Sequence, residues 1–217
     1  MRTVALVTQK GGSGKSTLAI GLATAALRDG ERVFMLETDK QGTISNWAVR
    51  RTTEEPGVDR VTGIPELERA LTLLRSRGYT LTVIDTPGTD SVSVSAAIAH
   101  ADLCLIPARP SPADIEAAHP TLDTIRKLGR PYAFVLNQAP PRSFRLREAA
   151  TALNMLGVLA LPYIVQRNDH QDALGAGLGV TEFAPESKAA EEIRALWAWI
   201  RRKLTGSNHV ERLAAAS

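Results

Sequence analysis

Three stretches of this sequence bring phosphate-handling and metal-handling residue types to the ends of apolar runs. The first is Lys10-Gly11-Gly12-Ser13-Gly14-Lys15-Ser16-Thr17. It follows the apolar run Val4–Val7 and leads into a helical pattern, and that context carries more weight than the letters. The glycines let the backbone turn tightly and set its N–H groups against phosphate oxygens. The helix opening at Lys15 adds the positive end of its dipole. In such a loop Lys15 reaches the β- and γ-phosphates of a nucleotide, and the Ser16 hydroxyl ligates Mg2+. A chance glycine-rich turn with two surface lysines would need neither the strand before it nor the helix after it.

The second stretch is Val83-Ile84-Asp85-Thr86-Pro87-Gly88, an apolar run that ends in a carboxylate. Ligands bind at the carboxyl ends of strands in open α/β sheets. Asp85 is placed to hold the Mg2+ shell through water, and the Pro87-Gly88 turn to respond to a γ-phosphate. Alone, Asp85-Thr86-Pro87-Gly88 could be a capped turn. The third stretch, Glu37-Thr38-Asp39-Lys40-Gln41-Gly42, closes another apolar run with two carboxylates. A carboxylate beside a γ-phosphate can orient water and accept its proton. Asn137 follows the run Ala133–Leu136, and its amide offers the donor and acceptor that an adenine edge needs. An ordinary turn asparagine is the plainer alternative.

The elements that must position these residues are legible as alternation. Val4–Val7, Val33–Leu36, Leu81–Ile84, Leu103–Ile106, Ala133–Leu136 and Val158–Leu161 read as strands buried on both faces. Helical patterns lie between them at Lys15–Asp29, Pro65–Arg77, Val92–His100, Pro112–Leu128 and Phe144–Leu156, several closed by glycine. Strand and helix in turn give an α/β, doubly wound, mostly parallel sheet with helices on both faces. Thr52–Gly63 is polar and reads as a surface excursion. The 217 residues suit a single domain over 1–205, with a polar tail over 206–217.

Composition narrows the setting. A net charge of +3 and a pI near 9.2 permit a nucleic-acid partner without requiring one. Cys104 is the lone cysteine and sits in an apolar run, so it reads as a buried thiol, not half of a disulfide or part of an iron–sulfur cluster. No stretch approaches the roughly 18 apolar residues of a membrane span. The start of the chain lacks the form of a signal peptide. A cytoplasmic protein is the expectation.

One departure is informative. The standard phosphate loop begins with glycine where Gln9 stands, and Lys10 comes next. Lys10-Gly11-Gly12-Ser13-Gly14-Lys15-Ser16 resembles the deviant Walker A box of the ParA/MinD family of P-loop ATPases. That resemblance implies ATP and Mg2+ as cofactors, and Gly11 to Thr17 as the phosphate cradle. It gives Lys10 the role of the signature lysine, which crosses a dimer interface to the partner's nucleotide. The family pattern after the second strand is Asp-x-Asp-Pro-Gln-Gly. This chain keeps Asp39, Gln41 and Gly42, with Glu37 and Lys40 in place of the other two. By resemblance, Asp39 positions the attacking water and joins Lys10 and Lys15 as catalytic. Glu37 is one methylene longer than the usual residue and faces either the Mg2+ shell or the following helix. Asn137 falls where the family reads the purine, and Pro162 falls in its base-covering loop. Arg167–Ala173, Gly177–Val180 and Ser187–Ile193 extend the likeness, which runs from Val4 to about Leu204.

The resemblance to small ParA-type proteins implies a weak ATP hydrolase that forms an ATP-bridged homodimer. Such a dimer binds non-specific DNA at the nucleoid, answers to a ParB-like adaptor, and serves plasmid or chromosome partition or cargo positioning. The DNA-contact candidates are Arg142, Arg145, Arg147, Arg167, Arg194, Arg201, Arg202 and Lys203. No helix-turn-helix precedes Thr3. A MinD-like membrane cycle would use an amphipathic helix, and Ala190–Leu204 has the spacing. That spacing is more common in a last helix packed on the sheet. A VirC1-like DNA-transfer ATPase and an ATP-dependent metabolic ligase of the same superfamily are the remaining alternatives.

Overall fold

The chain order is β1 (Arg2–Leu6), α1 (Lys15–Arg28), β2 (Val33–Glu37), α2 (Thr43–Val49), β3 (Gly57–Arg60), α3 (Ile64–Ser76), β4 (Leu81–Asp85) and α4 (Val92–His100). It continues with β5 (Leu103–Ala108), α5 (Pro112–Lys127), β6 (Tyr132–Leu136), α6 (Phe144–Leu156), α7 (Asn168–Gly175), α8 (Val180–Phe183) and α9 (Lys188–Ala214). The computed structural model describes residues 1–89, 92–141 and 144–214. Among these, six strands form one sheet in the order β3-β2-β4-β1-β5-β6, with every pairing parallel.

Strands β4 and β5 are buried along their whole length, which is why they read as continuous apolar runs. Alternate residues serve opposite cores. Val4 and Leu6 pack with α1, α2 and α9, while Ala5 packs with α3 to α6. Register then fixes the chemistry. Asp85 pairs with Leu6 on one side and with Glu37 on the other, so the carboxylates gather at the carboxyl edge, beside the phosphate loop that leaves β1.

Three expectations shift. Val158–Leu161 runs alongside β6 but forms only an isolated bridge at Leu159, with hydrogen bonds on either side of Phe134. The sixth strand is instead β3, inside the polar stretch read as a surface excursion. As an edge strand with two of its four residues exposed, it needs no apolar run and left none to read. The helix α9 continues through Gly206 to Ala214. Ile193, Leu196, Trp197, Ile200 and Leu204 on it are all buried against α1 and the sheet, so its apolar face belongs to the core. Among the described residues no helix is long and apolar enough to cross a membrane.

Candidate nucleotide site

The phosphate loop spans the gap between β1 and α1. Gly14 caps α1 at φ 83°, and a Cβ there would lie 2.5 Å from the Asn137 amide nitrogen, so only glycine fits. Asn137 Nδ2 donates to the Ser13 carbonyl at 2.8 Å, and Gln138 Nε2 to that of Gly12 at 3.0 Å. The end of β6 thus holds the loop from behind. A carbonyl can only accept, so this bond orients the Asn137 amide and turns its oxygen to other partners. Lys15 is buried, and its Nζ donates to the Lys10 carbonyl at 3.2 Å. Burial lowers its pKa, against the opposing pull of Asp85 and Asp39.

Asp85 is fully buried, and its Oδ2 accepts the Ser16 hydroxyl at 2.6 Å. Its Oδ1 has no hydrogen-bond partner among the described residues. Burial pushes this carboxyl up to about 7, though Ser16 and Lys15 pull it down, and Glu37 and Asp39 add to the rise. An orphaned, buried carboxylate oxygen beside a hydroxyl is the environment a hard divalent cation satisfies. Ser16 and Asp85 therefore fit Mg2+, which would supply charge neutralisation for phosphate oxygens.

Glu37 takes the second of its two expected places. Its Oε1 accepts the Ile44 N–H at 2.7 Å, and its Oε2 accepts the Ser45 N–H at 3.1 Å and the Ser45 hydroxyl. Both oxygens are spent on the first turn of α2, so the Mg2+ shell is not where this carboxylate is directed. The N-cap of α2 is Gly42, which has no side chain to cap with. The extra methylene lets β2 supply that cap from a distance. Between these anchors, Thr38 is tied to the Asp85 carbonyl by its N–H at 2.9 Å and its hydroxyl at 3.0 Å. Asp39 closes an Asx turn, its Oδ1 accepting the Gln41 N–H at 3.0 Å. It is close enough to perturb both Lys15 and Asp85. Across the loop, a Cβ on Gly88 would lie 2.8 Å from the Gly11 nitrogen, so the Pro87-Gly88 turn rests on the phosphate-loop backbone.

Lys10 has a partner that the sequence did not reveal. Its Nζ lies 2.9 Å from Oδ2 of Asp114, a buried residue in the first turn of α5. Arg109 Nε holds the other oxygen at 2.9 Å, and Ser111 Oγ donates to Oδ2 at 2.5 Å. Burial alone would raise this carboxyl, but the hydrogen bonds from Arg109, Ser111 and Lys10 outweigh it and hold the pKa at about 2.

Comparison with known proteins agrees with this geometry. The family model described as VirC1 protein matches residues 1–173. The chain belongs to the ParA/MinD family of P-loop ATPases. It is 34% identical over 201 residues to the maintenance of carboxysome distribution protein A of Gloeobacter kilaueensis, covering 89% of each chain. It is 28% identical over 180 residues to the protein ParA of Rhizobium radiobacter, covering 77% of this chain and 79% of that one. The fold matches a plasmid partition protein of Borrelia burgdorferi bound to AMPPNP, with a TM-score of 0.72, 18% identity, and coverage of 93% and 99%. This ParA/MinD protein is an ATPase of the positioning type.

Not all the residues singled out in this ATPase come together. Beside the phosphate loop lies a recess of about 120 Å³ whose walls include Leu18, Asn137, Ile164 and Val165. Pro162 lies next to that wall, not on it. Arg167 does line the recess, and its Nη2 is held by Glu192 Oε1 at 2.6 Å. The other Glu192 oxygen accepts the Val165 N–H at 3.0 Å, so α9 fastens the covering loop. Arg167 therefore belongs to the nucleotide end and not to a basic surface. Arg194 donates to the Pro185 carbonyl at 2.6 Å, and Arg201 pairs with Asp29 at 2.5 Å. Arg145 and Arg147 are exposed on α6, across the sheet from α9, which carries exposed Arg202 and Lys203. These arginines do not form one patch. Arg142 lies outside the described residues. Ser111-Pro112-Ala113-Asp114 has the form of a helix capping box and could have marked Asp114, but its pairing with Lys10 and that of Glu192 with Arg167 were missed because no local motif marks a partner a hundred or a few tens of residues away.

Proposed function

We propose that this chain is a nucleotide-switched positioning ATPase that forms an ATP-bridged homodimer and holds DNA without sequence preference. Lys10 carries this reading. It is the one lysine of the loop not directed into its own phosphate cradle, and it is held by a carboxylate at 2.9 Å that a phosphate of higher charge can displace. Within one subunit, Lys15 and the N–H groups of Gly11 to Ser16 neutralise the phosphates. Ser16 and Asp85 hold the Mg2+ shell, and Asp39 orients water and accepts its proton. On dimerisation Lys10 leaves Asp114 and reaches the nucleotide of the second copy, adding charge where the transition state develops it. A cytoplasmic protein carrying cargo over the nucleoid, released when a ParB-like adaptor stimulates hydrolysis, fits the identity with a carboxysome distribution protein and a ParA protein. The likeness to the VirC1 model supports DNA transfer as a second kind of cargo.

The test is sedimentation with Mg2+-ATP, Mg2+-ADP and no nucleotide, alongside binding to a non-specific duplex. Dimer and DNA binding only with ATP, both lost in Lys15→Ala, are expected. A Lys10→Ala protein that dimerises and hydrolyses ATP as wild type does would remove the cross-subunit mechanism.

A further inference from the structure

The end of the subunit opposite the phosphate loop gathers cations. Chain segments leading into the strands meet there, together with the outer half of α9. The residues are contiguous. Arg32 Nη1 donates to the Arg77 and Gly78 carbonyls at 3.0 and 3.1 Å, the Arg32 carbonyl accepts the Thr80 N–H, and the Thr80 carbonyl accepts the Arg2 N–H. A shallow recess joins Arg2 and Thr80 to Arg201 of α9. A second, of about 340 Å³, joins Arg130 before β6 to Trp199 and Lys203 of α9. Five strands from β2 to β6 lie under this strip, so it is about 19 Å long at about 4.8 Å per strand.

Cations at helix carboxyl ends often answer only the helix dipole, and some here do. Arg126 caps α6 through the Leu156 carbonyl, Arg28 is bound to the Thr181 carbonyl, and Arg32 caps α3. The acids of the strip are also engaged: Asp29 with Arg201, Asp102 with Arg2, and Glu31 with the Thr80 hydroxyl. Set those aside, and Arg75, Arg77, Lys127, Arg130 and Arg202 remain exposed, with no ion pair among the described residues. Rigid strand and helix ends hold these five in a row, and they outnumber the two acids there without a cation partner among the described residues, Glu31 and Asp123.

We propose that this amino-edge strip is the surface that grips duplex DNA, through phosphates alone. The proposal rests on the DNA-binding reading above and assigns it a place. A strip of about 19 Å spans five or six base pairs at about 3.4 Å each, enough for four to six phosphate contacts. Arginine forks suit phosphate oxygens. A lipid surface would call for a continuous exposed apolar face among the cations, whereas the apolar face of α9 is buried in the core and the strip carries only separate exposed residues, Leu73, Leu128 and Val158. Nucleotide and DNA then occupy opposite ends of the subunit and do not compete.

The experiment is fluorescence anisotropy of a labelled duplex with the full chain and Mg2+-ATP, across a salt series. In the variant Lys127→Glu/Arg130→Glu/Arg202→Glu, affinity falls at least about 30-fold and the salt slope flattens by about 3. DNA-free ATP hydrolysis and ATP-dependent dimerisation stay as in wild type, which also reports folding. Arg145→Glu/Arg147→Glu on α6 keeps wild-type affinity. If the triple variant does not fold, Lys127→Ala alone should weaken binding severalfold and flatten the slope by about 1. An edge variant that binds as wild type, with loss in the α6 variant, overturns the assignment and leaves DNA binding standing. Wild type that binds no duplex in any nucleotide state removes the DNA reading itself. Binding instead to phosphatidylglycerol vesicles, lost in the edge variant, would hand the strip to a membrane and overturn the DNA proposal.

Discussion

Asp85 is a buried acid with one oxygen unpaired among the described residues, and that has a measurable cost. Its carboxyl titrates near 7 in the folded chain, against 3.8 ordinarily. A raised carboxyl pKa means the native state binds the proton more tightly than the unfolded state does. The stabilisation is complete below about 3.8 and is lost as pH rises through about 7. The nucleotide-free protein should therefore lose roughly 2–4 kcal/mol from this group between about pH 4 and pH 8, read as a falling Tm. Asp85→Asn should flatten that profile, raise the Tm at neutral pH, and abolish Mg2+-dependent hydrolysis. A variant less stable than wild type at about pH 8 would mean that the ionised carboxylate is satisfied without a metal. Asp114 makes the opposite case, an acid kept ionised by the cations around it. Asp114→Asn weakens the hold on Lys10, and a charged hydrogen bond is worth about 1.5–3 kcal/mol. The ATP concentration that half-dimerises the chain should drop about tenfold in sedimentation. A rise would mean that Asp114 serves the dimer itself.

At the scale of elements, the site depends on what ties α2 to β2. The α2 helix has only seven residues and a glycine N-cap, so Glu37 supplies the acceptors its first turn lacks. Asp39 lies between these two anchored elements. Glu37→Asp should shorten the reach, leave an N–H of Ile44 or Ser45 unpaired, and loosen Asp39. ATP affinity should stay within about twofold while kcat falls about 3- to 10-fold, since a misplaced group costs rate more than binding. An unchanged kcat would separate Asp39 from the α2 anchor. Here too is the boundary of what the sequence could tell. The phosphate loop, Asp85 and Asn137 were legible because contiguous residues at strand ends carry their chemistry, and the apolar runs at β1, β2, β4, β5 and β6 were legible because burial on both faces leaves continuous hydrophobic strings. The edge strand β3 has no such string. Val158–Leu161 has one, but beyond β6 it finds no partner for a full ladder. The cap made by Glu37 and the pairs Asp114–Lys10 and Glu192–Arg167 depend on where the fold brings separate segments, and local residue type does not record that.

At the scale of the whole molecule, the phosphate loop and the loop that lines the recess beside it are joined through α1 and α9. The α1 helix begins at the phosphate loop and packs along α9, with Ile193 only 3.3 Å from where a Cβ on Gly21 would lie. The same α9 holds the loop over the recess through Glu192. ATP bound at this junction stabilises the native state by mass action, about 2.7 kcal/mol at 100 times Kd. For a chain of this length that should raise the Tm by roughly 5–10 °C, at about 2–4 °C per kcal/mol. If ATP also joins two copies, the shift acquires a second part that grows with protein concentration, because the folded dimer is favoured further as chains become more abundant. Lys10→Ala separates the parts. Among the described residues its Nζ is paired with Asp114, so the variant should keep the concentration-independent shift with Mg2+-ATP and lose the dependence on protein concentration. Lys15→Ala should lose both. A Lys10→Ala Tm that still climbs with protein concentration would place the subunit contact elsewhere on the molecule and leave Lys10 as a surface lysine held by Asp114.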